Sequence, residues 1–224
     1  MTLIQWLDYA GVAVFALSGG ITAARKRLDP VGFALIGTVT GIGGGTLRDL
    51  LLGRPVYWIT QWEYLIITVL AAWLVFFWGR FAPRPARPVR WSRLLDWADA
   101  VGLSVFALIG AQAALSAGAN GFIAVVMGMM TASFGGLLRD ILCNEIPMIL
   151  HREIYASAAA AGAAVYVLGL RAGWPHDPTL AAGAGTALAL RGLGITRGWH
   201  LPAYEAERRK TIKTIEKKNN VTPL

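Results

Sequence analysis

Gly43-Gly44-Gly45-Thr46-Leu47-Arg48-Asp49 and Phe134-Gly135-Gly136-Leu137-Leu138-Arg139-Asp140 are one stretch written twice. A shift of 91 residues, the distance from Asp8 to Asp99, superimposes them without a gap. The same shift carries Gly11 onto Gly102, Val14-Phe15-Ala16-Leu17 onto Val105-Phe106-Ala107-Leu108, Gly19 onto Gly110, Gly37 onto Gly128 and Thr40 onto Thr131. Apolar segments share letters by chance, but chance does not place a Gly-Gly-x-Leu-Arg-Asp motif twice in register. The chain is an internal duplication.

The surroundings of the motif set the solvent. Charged residues are 15% of the chain and hydrophobic residues 55%, with a mean hydropathy of +0.51. Soluble domains carry about a quarter charged residues. Residues 9–24, 31–47, 64–79 and 154–170 contain no Asp, Glu, Lys or Arg, and 100–138 is free of them too, divided by Gly118, Asn120 and Gly121. Each run approaches the roughly 20 residues that cross a hydrocarbon core. A seventh run, 178–190, is shorter and continues past Arg191, which is expected to face a polar interior. The expected fold is an all-α membrane protein of seven transmembrane helices, an inverted three-helix repeat plus one. Residues 1–80 form the first repeat, 81–93 a basic Pro-rich linker, 94–172 the second repeat, 177–197 the seventh helix and 198–224 a basic tail. Three spans per copy is an odd number, so the second copy enters the bilayer from the opposite side.

The net charge of +8 reports orientation here rather than nucleic acid, for which no partner role is expected. Arg25, Lys26 and Arg27 follow the first span, Arg80, Arg84, Arg87, Arg90 and Arg93 occupy or border the linker, and Arg208, Arg209, Lys210, Lys213, Lys217 and Lys218 crowd the tail. Placing the N-terminus outside and the C-terminus in the cytoplasm of a cell (inner) membrane puts all three clusters on the cytoplasmic side. That count requires seven spans. The basic tail can also attract anionic membrane lipid. No signal peptide is expected, since the first residues lack a basic stretch and a cleavage site. Cys143 is the single cysteine and excludes an intrachain disulfide. His151, His176 and His200 fall in loops or helix ends, which argues against a metal site.

In lipid a freed backbone carbonyl must find a partner, so non-helical backbone occurs only inside protein or along water. Glycine is the weakest helix former after proline. Gly43, Gly44 and Gly45, with Gly135 and Gly136, admit two readings: close packing of small residues, or a break lining a cavity. A cluster followed by Arg-Asp, occurring twice, favours the break. Arg48 and Asp49 are neighbours on a helix and are not expected to face each other. A straight helix from Pro30 to Arg48 rises about 27 Å, which places Arg48 at the same boundary as Asp8. By symmetry Arg139 and Asp99 meet at the other. Two Asp–Arg pairs, one per mouth, are the expectation; the competing account is side chains snorkelling to the headgroups. Asp140 repeats Asp49. Ala156 to Ala164 and 181–185, rich in Ala, Ser and Gly, read as packing or subunit interface. Trp58, Trp62, Trp73, Trp78, Trp91 and Trp97 read mostly as interfacial anchors.

Two glycine-rich Gly-Gly-x-x-Arg-Asp motifs, on the second and fifth of three plus three plus one spans, resemble the prokaryotic TRIC channels, relatives of the trimeric intracellular cation channels. The resemblance covers Asp8 to about Arg171 by motif and the rest by topology. It implies a homotrimer with one pore per subunit, passing monovalent cations such as potassium and narrowed by kinked second and fifth spans. Onto this chain it carries Gly43, Gly44, Gly45, Arg48 and Asp49, then Gly135, Gly136, Arg139 and Asp140. Phe134 stands where the first copy has Gly43, a departure from the full triplet. Physics adds that carbonyls freed at Gly43 to Gly45, with the hydroxyls of Thr40, Thr131 and Ser133, would suit a potassium ion. Asp8 and Asp99 would neutralise Arg48 and Arg139. No cofactor is expected beyond the permeant ion and bound lipid. The alternative is a secondary transporter of a small polar solute, which also uses inverted repeats and broken helices. An enzyme is not expected, since no HExxH motif, Ser-His-Asp set or Cys/His ligand spacing is present.

Overall fold

Nearly all of the described chain is helix because its apolar runs are long and its backbone groups have no other partner in lipid. The computed structural model describes residues 3–81, 91–150 and 154–199. The helices are α1 Leu3–Arg25, α2 Pro30–Leu51, the single turn α3 Tyr57–Thr60, α4 Glu63–Phe81, α5 Trp91–Ser116, α6 Gly121–Leu142, α7 Ala156–Arg171 and α8 His176–Arg197. Five of them (α1, α2, α4, α5 and α6) are long and apolar enough to cross a membrane, and α7 is a shorter apolar helix. With α8 they make three plus three plus one. Most of the basic linker (residues 82–90), most of the basic tail, His151 and His200 lie outside the described residues. Helix α5 begins at Trp91, so the linker ends before the expected residue 93.

The repeat extends to how the helices begin and end. Asp29 accepts from the Gly32 amide (2.7 Å) to start α2, and Asn120, 91 residues on, accepts from the Ile123 amide (3.0 Å) to start α6. Each caps an otherwise orphaned donor. At the other end the Leu52 and Cys143 amides donate to the carbonyls of Arg48 and Arg139, both at 3.0 Å. The chain then turns through left-handed backbone at Gly53 (φ 63°) and Asn144 (φ 51°). Glycine and asparagine are the residues that take this conformation at least cost.

The two repeats pack α1 against α5 and α2 against α6. Phe15 and Phe106, equivalent residues, stack at 5.2 Å. Val12, Ile42, Leu103 and Ala132 complete a core shared by both copies. Outward-facing Ile66, Leu70, Leu74, Phe77 and Trp78 leave α4 apolar on its exposed side, as expected of a helix solvated by lipid rather than water.

One expectation is corrected here. Helices α2 and α6 run without interruption through Gly43, Gly44, Gly45, Gly135 and Gly136. The glycines have another use: a Cβ on Gly44 would fall on the Thr131 carbonyl, and a Cβ on Gly135 would fall on the Thr40 carbonyl. Each helix presents a glycine to the backbone of the other, and the equivalence of the two contacts marks a two-fold relation between α2 and α6. Small residues are what allow backbones to approach this closely.

Candidate functional site

Buried charge inside a membrane protein is expensive and marks function by default. This chain gathers it at the ends of α2 and α6. Arg48 and Asp49 are buried in the last turn of α2, Arg139 and Asp140 in the last turn of α6, and Asp99 in α5 is fully buried.

Around Arg139 every polar neighbour converges. Its Nη1 donates to Asp99 Oδ1 (2.9 Å) and to Ser18 Oγ (2.9 Å), and its Nε donates to Asp140 Oδ1 (2.8 Å). Met148 Sδ lies 3.6 Å from Nη2. A guanidinium has five donors in a rigid fork, and this site uses the fork to tie α6 to both α1 and α5. Tyr155, beside Gly136 and Asp99, closes the site. Its ring lies under Arg191 of α8, 5.1 Å from the guanidinium carbon, so the seventh helix reaches the same cluster.

The equivalent cluster in the first repeat is built differently. Arg48 Nε donates to Asp49 Oδ1 (2.8 Å), whereas Asp8 Oδ2 accepts from the Tyr64 hydroxyl (2.6 Å). No ion pair joins Asp8 to Arg48 among the described residues. The expected symmetric pair at this mouth is therefore corrected, and the sequence holds the reason. Tyr57 occupies the place of Met148, packs its ring on Gly45, and sits 5.4 Å from the Arg48 guanidinium and 4.6 Å from the Tyr64 ring. A rigid ring fills space that a flexible thioether leaves to the arginine. Ile109 also replaces Ser18, so this end lacks the hydroxyl that receives Arg139 in the other half.

A second correction concerns neighbours on the helix. Arg48 with Asp49, and Arg139 with Asp140, do pair within the sequence step. They can because they lie in a final turn, where a long side chain curls back beyond the helix. The second carboxylate oxygen of each aspartate accepts from an amide eight residues on, Tyr57 and Met148 respectively, both at 3.0 Å. Asp49 and Asp140 thus hold the following loop against the arginine.

The candidate hydroxyls are buried along the same helices. Thr40 donates to the Ile36 carbonyl (2.6 Å), Thr131 to the Met127 carbonyl (2.7 Å) and Ser133 to the Met129 carbonyl (2.7 Å). Since the helices continue, the carbonyls expected to be freed at Gly43 to Gly45 stay within α2. Beyond Arg139 a cavity of about 210 Å³ is lined by Arg25, Asp96, Asp140, Glu145, Met148 and Arg191. Glu145 holds Arg25 and Lys26 at 3.2 Å each, joining the turn after α1 to the turn after α6.

Sequence reasoning missed Tyr64, Tyr155 and Ser18; it set Arg191 toward a polar interior but did not supply Tyr155 as its neighbour. The tyrosines were within reach, since 64 and 155 obey the same shift of 91. Ser18 and Arg191 have no equivalent in the other copy and left no periodic signal.

Fold and site together define a class: a seven-helix membrane protein with an inverted repeat and a buried arginine–aspartate cluster at the end of the middle helix of each copy. A family model described as Glycine transporter matches the chain twice, over residues 5–80 and 96–171, the same offset again. The chain is 44% identical over 165 residues to the UPF0126 inner membrane protein YadS of Escherichia coli strain K12, covering 73% of this chain and 77% of that one. It is 40% identical over 201 residues to a UPF0126 membrane protein of Vibrio cholerae, covering 89% and 81%. Among solved structures it is similar to the TRIC trimeric intracellular cation channel orthologue from Rhodobacter sphaeroides, with a TM-score of 0.83, 44% identity, and 89% and 100% of the two chains covered. The chain belongs to this prokaryotic TRIC family.

Proposed function

We propose that the protein is a cation channel of the potassium type, working as a homotrimer in the cell membrane with one pathway through each subunit. The reading is supported by likeness over nearly the whole length to a channel described as trimeric and cation-conducting. Charge supports the sign. Among the described residues the buried charges balance, Asp49, Asp99 and Asp140 against Arg48, Arg139 and Arg191, and the half-buried Asp8 adds a carboxylate at the mouth beside Arg48. With Asp8 ionised that mouth carries the extra negative charge, and a carboxylate at the mouth of a pore favours cations. The pathway runs between α1, α2, α5 and α6, from Asp8 and Arg48, past the hydroxyls of Thr40, Thr131 and Ser133, to Arg139. Gly44 and Gly135, with Gly43 beside them, set its narrowest part by holding α2 and α6 together, while Gly45 and Gly136 make room for Tyr57 and Tyr155. Arg139, tied to three partners, closes it at the end that the basic residues place in the cytoplasm, and Arg48 with Asp8 guards the outer end.

The description of the family model as Glycine transporter favours a second reading, uptake of a small zwitterion. Planar-bilayer recording of purified protein in potassium, sodium and chloride gradients, with labelled glycine uptake into proteoliposomes, separates the two. The channel predicts unitary currents reversing at the cation potential. Saturable glycine uptake without unitary currents would establish the transporter instead.

A further inference from the structure

On the face of the first repeat away from α6 lies a groove of about 440 Å³ between the turn after α1 and the end of α4. Three arginines line it, Arg25, Arg27 and Arg80, with no carboxylate among the lining residues. Its wall is apolar: Phe33 and Phe76, edge to face at 5.2 Å, with Val75 beside them. Arg25 is partly neutralised by Glu145. Arg80 and Arg27 are exposed, and the Arg80 guanidinium lies over the face of Phe81 at 5.9 Å. Positive heads above an apolar slot, at the boundary of a membrane span, match an acidic lipid: phosphate to the arginines, acyl chain along the phenylalanines.

The repeat supplies an internal control. At the equivalent positions of the second copy stand Ser116, Gly118 and Arg171 for the arginines, and Leu170 for Gly79. One arginine of three survives, and leucine occupies the place where the first copy leaves the slot open. Arg27 also adopts left-handed backbone, φ 56°, where its equivalent is Gly118 at φ 82°. A non-glycine residue is disfavoured in that conformation, and glycine would fit there without the cost. The arginine is retained in this copy alone, the copy whose α1 end faces the cytoplasmic leaflet in the orientation that the basic clusters give.

We propose that this groove binds an anionic phospholipid of the cytoplasmic leaflet, with Arg27 and Arg80 as its headgroup ligands. The test uses the full chain, delipidated in detergent, with phosphatidylglycerol and phosphatidylcholine of identical acyl chains and native mass spectrometry as readout. Wild type retains phosphatidylglycerol in preference. Each basic residue near a membrane surface contributes about 1 kcal/mol, so the double variant Arg27→Gln/Arg80→Gln loses about thirtyfold in phosphatidylglycerol affinity, while Arg27→Lys/Arg80→Lys keeps most of it. Gly79→Leu leaves the arginines in place; its new side chain enters open space, since nothing lies within 4 Å of a Cβ there, and it weakens binding by filling the slot. Equal retention of both lipids by wild type overturns the proposal. So does an unchanged preference in the double glutamine variant, or a Gly79→Leu variant that binds as wild type does. Displacement by glycerol phosphate as effective as displacement by lipid would make this a soluble-phosphate site and overturn it too.

Discussion

Gly44→Ala adds one carbon at the place where α2 meets the backbone of α6. Built on the structure, that carbon falls on the Thr131 carbonyl oxygen. A backbone carbonyl inside an intact helix cannot rotate away as a side-chain end can, so the helices themselves must part, by on the order of 1 Å to restore van der Waals separation. Overpacking of this kind costs about 1–3 kcal/mol, and the gain from alanine as a helix former returns up to about 1 kcal/mol. The net expectation is a destabilised α2–α6 crossing. Gly135→Ala, whose carbon meets the Thr40 carbonyl, should behave alike because it is the same contact reversed. Once one substitution has widened the crossing, the second finds room, so the double variant should be less unstable than the sum of the singles. Gly43→Ala is the comparison: its one tight contact is the Leu138 Cδ1 tip at 2.9 Å, which can move, and Gly135 Cα lies at an ordinary 3.6 Å. Unfolding of purified protein in detergent measures the costs, and single-channel recording tests whether a wider crossing alters conductance. If Gly44→Ala is no less stable than Gly43→Ala, the glycines do not hold the crossing and the reasoning fails.

Asp99→Asn and Arg139→Gln should each cost about 3–5 kcal/mol, as breaking a fully buried pair does, and their double-mutant cycle should show strong coupling. The same cycle at Asp8 and Arg48 should show little, because Asp8 bonds Tyr64 instead; equal coupling at both ends would contradict the asymmetry described here. Tyr64→Phe should destabilise by about 1.5–3 kcal/mol, the range for a hydrogen bond to a charged group, and Asp8→Asn should make the Tyr64 change milder, both read from thermal unfolding. Cysteines placed at Gln5 and Ala119 in a Cys143→Ser background should react with impermeant thiol reagents from outside and one at Ala86 only from inside; external labelling at Ala86 would reject the orientation.

Duplication, spans and the location of the buried charge were all legible in the sequence, because each rests on period and composition. A shift of 91 needs no coordinates, and neither does a charge-free run of membrane-spanning length. Lipid makes these signals decisive, since it forces every span to satisfy its own backbone and so removes most alternatives to helix. What the sequence could not decide was which of two uses a glycine serves, or which partner an arginine takes. Gly44 as a hinge and Gly44 as a contact have the same letters around them; only the position of the Thr131 carbonyl separates them, and that depends on how α6 crosses α2. Likewise Arg48 and Arg139 occupy equivalent places in equivalent motifs, yet Arg139 reaches Asp99 and Arg48 stops at Asp49. The difference lies in residues outside the motif, Tyr57 against Met148 in the loop that follows it and Ile109 against Ser18 in the opposite repeat, which act by filling or opening the space around a guanidinium. Repeat symmetry is a property of the chain, whereas the pairing of a buried charge is settled by the volume its neighbours leave.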